Sequence, residues 1–259
     1  MKYNTDINSF GGIQDYHMIH EALRSYLNDE QDFKERVVEK NEFAIRTEEG
    51  RGRFYRGIRS SAMTFVNEDH KNLYYSFFHQ LDDSLPYNFL IFWLLAQNNL
   101  LFRTISEEVF LKFYFNGKVS ITGDDVFAFL KHLQEEDETF GQLNWTKKTM
   151  EPIASKYLTI LKKLDLLEGT QKKLIKHIQV SDTTLAIFIY VLKACYPETS
   201  NILTSKFLPF SFLTQERFVE KVKKIAQKGW FEMTYTGTNL NIEPIIKYNQ
   251  LSHALFGRP

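Results

Sequence analysis

The chain has 259 residues, 43% hydrophobic and 15% aromatic, so it can bury a substantial core and is not a disordered protein. Its single cysteine, Cys195, excludes an internal disulfide framework and a zinc site built on several thiolates, and it fits a reducing cytoplasm. The 32 basic residues balance the 32 acidic residues, and a net charge of zero does not favour a strong nucleic-acid binder.

The first part of the chain, to about residue 140, is predicted to be helical throughout. Apolar residues recur at helical spacing within residues 17–27, 33–38, 54–66 and 73–78. Pro86 is predicted to begin an apolar helix that continues to Phe102. Its most apolar stretch, residues 87–96, covers only about half of the ~20 residues that a membrane span requires. The sequence therefore predicts a buried helix and no membrane partner.

Two capping patterns predict the next helices. The Thr104–Glu107 pattern predicts a helix over residues 105–115, and the Thr122–Asp125 pattern predicts another that continues to about Gln134. An acidic run over residues 135–138, closed by Gly141, is the expected domain boundary. We therefore expect an all-helical domain over residues 1–140 and a winged-helix-like α+β domain over residues 141–259.

The C-terminal part contains two segments in which a helix precedes a β-hairpin. A helix over residues 145–164 precedes a strand–turn–strand within residues 166–180. A helix over residues 214–227 precedes strands over 230–235 and 240–245, joined at Thr236-Gly237-Thr238. A winged helix-turn-helix ends in this order of elements, although any small α+β domain with one hairpin shares it. The predicted fold class is mainly α, with winged helix-turn-helix-like helix–hairpin units in an α+β C-terminal region.

The zero net charge is the sum of opposed blocks. Residues 68–138 contain 12 acidic and five basic residues, whereas residues 147–176 carry a charge of about +5 and residues 206–228 about +4. Both basic blocks coincide with a predicted helix–hairpin. Because local fields govern the capture of a polyanion, this distribution favours nucleic-acid binding despite the neutral total.

Candidate phosphate-binding residues fall into an arginine cluster and a lysine cluster. The arginine cluster consists of Arg46, Arg51, Arg53, Arg56 and Arg59. The lysine cluster consists of Lys147, Lys148, Lys156, Lys162 and Lys163 on the predicted helix and Lys172, Lys173 and Lys176 on the hairpin. Guanidinium forks suit phosphate, although Glu48 and Glu49 could pair with the arginines instead. Lysine neutralises phosphates without reading bases, so we expect little or no sequence specificity.

Patterns for catalysis or metal binding are weak in this chain. His17, His20 and Glu21 share a helix face, but no further metal ligand is evident, which favours ordinary surface histidines. The sequence has no glycine-rich phosphate loop and no Gly-x-Ser-x-Gly motif. We therefore predict no enzymatic activity, no cofactor, no bound metal and no small-molecule substrate.

Dispersed motifs resemble those of a known family. They are Val-Val-Glu-Lys-Asn-Glu at residues 37–42, Arg46-Thr47, the Arg53-x-x-Arg56-x-x-Arg59 spacing, and a lysine-bearing helix ending in Leu164-Asp-Leu-Leu167. Over about residues 7–192 the chain resembles the BrxA family, small accessory proteins of BREX bacteriophage-exclusion systems. Ser60 and Ser61 follow Arg59 where the family more usually has an Arg-Leu pair, and the part beyond about residue 200 is long.

The resemblance implies a cytoplasmic, two-domain, mainly helical protein with helix-turn-helix character and no known catalysis. It implies binding of double-stranded DNA with little sequence preference, with other BREX proteins as further partners. Two alternatives stay open. One is RNA binding by the helical N-terminal domain through the arginine cluster, since the family has been likened to the RNA-binding antitermination factor NusB. The other is a protein-docking adaptor that binds no nucleic acid.

Overall fold

Helices form most of the chain in the computed structural model, which describes residues 2–29, 32–79 and 85–257. The α-helices of these residues are α1 (Asp6–Gly11), α2 (His17–Asn28), α3 (Asp32–Lys34), α4 (Glu48–Ala62), α5 (Glu68–Phe78), α6 (Tyr87–Asn98), α7 (Leu100–Ile105), α8 (Lys112–Phe115), α9 (Gly123–Glu136), α10 (Glu138–Gly141), α11 (Lys147–Lys163), α12 (Asp182–Cys195), α13 (Gln215–Ala226) and α14 (Leu251–Phe256).

Short strands and irregular helical turns lie between these helices. Glu35–Glu39 is π-helical after α3, and the π-helical turn Ser106–Leu111 joins α7 to α8. Single 3₁₀ turns are formed by Ile202–Thr204, Leu208–Ser211 and Tyr248–Gln250. The strands are β1 (Ser120–Ile121), β2 (Leu167–Glu168), β3 (Lys173–Ile175), β4 (Phe231–Tyr235) and β5 (Leu240–Pro244).

The strands form two small antiparallel sheets. One has the order β1-β3-β2, in which Leu174 of β3 lies between Ser120 of β1 and Glu168 of β2. The other is the β4–β5 hairpin, in register from Phe231 opposite Pro244 to Tyr235 opposite Leu240. Both predicted hairpins are therefore present, and a mainly helical fold with an α+β C-terminal region is confirmed.

The described residues divide into two compact units that alternate along the chain. Unit 1 contains residues 2–22, 32–64 and 87–177, and unit 2 contains residues 23–29, 65–79, 85–86 and 178–257. The boundaries between these units do not fall at residue 140, because α11 packs against α1 and α9 and so belongs with the N-terminal helices. The two domains expected from the sequence, 1–140 and 141–259, stay a prediction.

Of the two capping patterns that the sequence predicted, one caps a helix in the structure and the other does not. Thr122 accepts a hydrogen bond from the Asp125 amide while the Asp125 carboxylate accepts one from the Thr122 amide, so the capping box at α9 is confirmed. The predicted start at Thr104 is wrong. Asn99 caps α7 through Phe102 N, at 2.8 Å, and the Thr104 hydroxyl donates to the Leu100 carbonyl inside the helix.

The apolar helix α6 lies in the core of unit 1. Its residues from Leu90 to Gln97 are all buried, which confirms a buried helix, although it ends at Asn98 and not at Phe102. The Phe92 ring meets Phe102 and Phe110 edge-on, at centroid distances of 5.8 and 6.3 Å. Among the helices of the described ranges, none has the length and apolar character needed to cross a membrane.

Unit 2 is built around α12, in which every residue from Thr184 to Cys195 is buried. The Phe188 ring stacks on Phe207 at 6.0 Å and meets Phe218 of α13 edge-on. The β4–β5 hairpin is fixed to this helix by Tyr190, whose hydroxyl donates to the Trp230 carbonyl and accepts from the Ile246 amide. Cys195 is a buried thiol of this core.

Candidate nucleic-acid interface

Helix α11 is held in unit 1 by the apolar side that the sequence predicted. Met150, Ile153, Leu161 and Tyr157 are buried there. The Tyr157 hydroxyl lies 3.0 Å from the Ser106 hydroxyl, and burial raises the pKa of this phenol well above its usual value. Pro152 lies inside the helix without ending it, since α11 runs unbroken from Lys147 to Lys163.

Helix α1 covers a second side of α11. At Gly11 a Cβ atom would lie only 2.8 Å from both Cβ and the carbonyl oxygen of Lys156, so the two helices approach as closely as a glycine permits. The Lys163 ammonium donates to the Ile13 carbonyl and lies 5.2 Å from the centre of the Tyr16 ring. Desolvation, with the charge of Lys156, lowers the pKa of Lys163. Lys163 therefore joins α11 to α1, and the phosphate contact expected of it stays a prediction.

The third side of α11 faces solvent and forms what we call the α11 stripe: Lys148, Pro152, Ser155, Thr159 and Lys162. These positions are three or four residues apart and lie on one helix face. Neither lysine of the stripe forms an ion pair with any residue that the structure describes. Lys147, beside the stripe, lies 3.5 Å from Glu151, and both are exposed. The stripe therefore has a cation at each end, with Pro152 and two small hydroxyl side chains between them.

The β2–β3 hairpin leaves one free cation of the three predicted. The Lys173 ammonium donates to the Thr170 carbonyl within the turn, and Lys176 forms a 2.6 Å ion pair with Asp165. Lys172 is exposed at the tip and has no ion-pair partner among the described residues. Gly169, at φ +85°, starts the turn that places Lys172 there.

The arginine cluster begins before α4 and continues along its exposed side. Arg53 pairs with Glu49 at 2.7 Å, the internal pairing that the sequence left open, while Arg46, Arg56 and Arg59 are exposed. Arg51 is half-buried, and its Nε is enclosed without a hydrogen-bond partner in the described part of the chain. The opposite side of α4 is apolar and buried, as its spacing indicated.

One cavity joins the two predicted clusters. A pocket of about 610 Å³ in unit 1, here the α1–α4 pocket, is lined by Arg46 and Arg53 from the arginine cluster and by Lys156 from α11. Its remaining lining residues come from residues 8–18 and 43–54. The α11 stripe and the hairpin lysines do not line it. The uncharged lining residues, such as Asn8 and Phe43, belong to no sequence motif and lie far apart in the chain, so no local pattern indicates them.

The other chemical candidates are occupied by local contacts. The His17 imidazole lies 3.7 Å from the Glu21 carboxylate, and nowhere in the described ranges do three His, Cys, Asp or Glu side chains form a group that could hold a metal ion. In the second basic block, Lys221 donates to the Val180 carbonyl at 2.8 Å and Lys228 pairs with Asp182 at 2.8 Å. Arg217 and Lys224 of α13 are exposed and form no ion pair with a described residue, so cations without an ion pair lie on both helix–hairpins.

Fold and surface together define a mainly helical protein whose exposed candidate site residues are cations. The family model of BrxA matches residues 1–189, which include all of unit 1 that the structure describes. The chain belongs to the BrxA family and is thus a protein associated with BREX phage defence, as its motifs indicated. No curated protein and no solved structure shows a significant match to the chain.

Proposed function

We propose that the chain is a non-catalytic accessory protein of a BREX system that binds double-stranded DNA with little sequence preference. The observation that carries the proposal is the sequence of elements β1-α9-α10-α11-β2-β3 with strand order β1-β3-β2, joined to the free lysines of α11 and the hairpin tip. The same order of elements occurs in a winged helix-turn-helix, in which the last helix enters the major groove and the hairpin lies against the backbone, and this likeness supports the proposal.

The chemistry of the α11 stripe supports tolerance of sequence. Specific readout in the major groove uses bidentate Arg, Asn or Gln side chains on base edges. The stripe offers none of these, because Ser155 and Thr159 lie between its lysines, and the Thr159 hydroxyl donates to the Ser155 carbonyl at 2.9 Å. Lys148, Lys162 and Lys172 instead supply point charges for phosphates. Binding dominated by such contacts depends steeply on salt and weakly on sequence.

The test compares two triple variants in fluorescence anisotropy titrations of unrelated duplexes at several salt concentrations. Changing Lys148, Lys162 and Lys172 to Ala removes the free cations of the proposed surface. The matched control changes three exposed lysines elsewhere, Lys34, Lys206 and Lys247, to Ala. Both variants lose three charges, so a difference between them reports position and not total charge.

We expect the first variant to bind every duplex more weakly and to lower the log–log salt slope by roughly 2 to 3, since each phosphate contact contributes about 0.9. The control should keep the parent slope. Equal losses in the two variants would remove α11 and the hairpin from the interface. If the protein binds structured RNA more tightly than duplex DNA, the RNA-binding alternative is favoured. If it binds neither nucleic acid, a protein-docking adaptor is favoured.

A further inference from the structure

The α1–α4 pocket has the charge of an anion site. Arg46, Arg53 and Lys156 line it, and no acidic side chain is among its lining residues. Glu49 does pair with Arg53 at 2.7 Å, but its own side chain is 80% exposed and lies outside the lining. Two of the three cations therefore have no ion-pair partner in the described residues, and a ligand phosphate could displace an exposed carboxylate from the third.

The wall of the pocket is held in shape by its own hydrogen bonds. Asn41 and Ala44 both have φ of 51°, a left-handed conformation that is uncommon for residues with a Cβ atom. The Asn41 side chain accepts from the Ile45 amide at 2.8 Å, and its carbonyl accepts from the Ala44 amide at 2.9 Å. Thr47 then caps α4 through the Gly50 amide. Ala44, Ile45 and Thr47 all line the cavity, so this wall needs little reorganisation to receive a ligand.

The other lining groups indicate that the ligand carries more than a phosphate. The half-buried Phe43 ring lies 5.3 Å from Phe54 and, with Ile13, gives the pocket an apolar surface on which an aromatic base can stack. The Asn8 side-chain oxygen is enclosed and accepts no hydrogen bond in the described residues. It is an unused acceptor on a residue that lines the cavity. The volume of about 610 Å³ falls within the usual 300–1,000 Å³ of small-molecule sites and is far too small for a duplex.

We propose that the α1–α4 pocket binds a nucleoside monophosphate, with the phosphate between Arg46, Arg53 and Lys156 and the base against Phe43. The sequence indicated no small-molecule ligand, because these residues come from three distant segments. The same chemistry is offered by a free nucleotide and by the terminal nucleotide of a DNA strand. The inference does not rest on duplex binding by the α11 stripe, whose residues lie outside the pocket.

Calorimetric titration of the full chain with the four 5′-deoxynucleoside monophosphates tests this inference. Deoxyadenosine and inorganic phosphate serve as half-ligand controls. We expect each half-ligand to bind at least about tenfold more weakly than the monophosphates, because both halves of the pocket contribute. Failure of the monophosphates to bind at millimolar concentration would overturn the inference, and so would inorganic phosphate binding as tightly as they do.

Variants locate the binding. Arg46→Ala and Lys156→Met should each weaken monophosphate binding about tenfold or more, as the loss of a charge-assisted contact does. In Lys156→Met the new side chain still packs against Gly11 but carries no charge. A loss of binding is therefore not caused by a loss of folding. Lys148→Ala, on the same helix but outside the pocket, is the matched control and should bind as the parent does. Equal weakening by Lys148→Ala would overturn the assignment.

A second arm separates the two sources of the nucleotide. An open duplex with single-stranded 5′-phosphorylated ends is compared with a closed dumbbell of the same sequence. If Arg46→Ala weakens binding of the open duplex and not of the dumbbell, the pocket holds strand ends. If it weakens neither while monophosphate binding is lost, the ligand is a free nucleotide. The triple variant of the α11 stripe should leave the monophosphate affinity unchanged, so failure of duplex binding and failure of this inference are distinguishable.

Discussion

Gly11→Ala tests the close approach of α1 to α11, on which both the pocket and the orientation of the α11 stripe depend. The added methyl group would lie 2.8 Å from Cβ and from the carbonyl oxygen of Lys156, and 3.2 Å from its carbonyl carbon. Two of these three atoms are backbone, so no side-chain rotation relieves the overlap. Either α1 moves away from α11, or the strain stays in the folded state.

The magnitude follows from two opposing effects. Overpacking of this kind costs about 1–3 kcal/mol, whereas alanine is favoured over glycine within a helix by about 0.5–1 kcal/mol. We expect a net loss of about 1–2 kcal/mol in the free energy of unfolding. For a chain of 259 residues, each kcal/mol shifts Tm by about 2–4 °C, so Tm should fall by about 2–8 °C.

Differential scanning calorimetry measures this shift, and Gly123→Ala is its matched control. Gly123 also lies in a helix, and a Cβ atom added there meets nothing within 4 Å. The control should keep or slightly raise Tm. A Tm for Gly11→Ala equal to that of the control would show that α1 and α11 are not in close contact, and would refute the packing from which the pocket is built.

Three further predictions test single side chains. Thr122→Ala removes the capping box of α9 and should cost about 1 kcal/mol, a Tm loss of about 2–4 °C by calorimetry, whereas Thr122→Ser should keep the parent value. Lys162→Ala should lower the log–log salt slope of duplex binding by about 0.9 and leave Tm unchanged, because this side chain faces solvent. Lys163→Ala should lower Tm and leave the salt slope unchanged, because this side chain bonds to the Ile13 carbonyl. The reverse pattern would contradict the assigned roles. Burial lowers the pKa of His70 to about 4, so the folded state resists its protonation, and stability should fall as pH drops from 7 towards 4. Urea unfolding at pH 7 and 5.5 should show a loss of about 1 kcal/mol that His70→Gln removes, and an equal loss in both proteins would assign it to other groups.

Local signals predicted the elements of this fold well. Hairpins were predicted where polar turns separate apolar strands, and the capping box at Thr122 was predicted from four consecutive residues. The error at Thr104 has a physical cause. The same pattern occurs in a helix interior, where the hydroxyl bonds to the carbonyl four residues earlier, and only the better-placed Asn99 reveals the true start.

The candidate site was less predictable, because it consists of those cations that form no ion pair or hydrogen bond within the protein. Lys162 and Lys163 are neighbours in sequence, yet one faces solvent and the other bonds to the Ile13 carbonyl, about 150 residues away. No periodicity reveals that α1 covers this side of α11. The pocket likewise depends on Gly11, whose importance becomes visible only when Lys156 is seen against it.

The end of the BrxA match lies inside the core of unit 2, which has a consequence for truncation of the chain. The match ends at residue 189, inside α12, whose residues on both sides of that point are buried. In unit 2, α5 packs against α12, α14 and the turn at Tyr248–Gln250, so a helix within the matched region is covered partly by residues beyond it. Truncation at residue 189 would strip α5 of that cover and leave half of α12 exposed. The residues beyond 189 are thus part of the core of unit 2, because they complete the packing around α5 and α12.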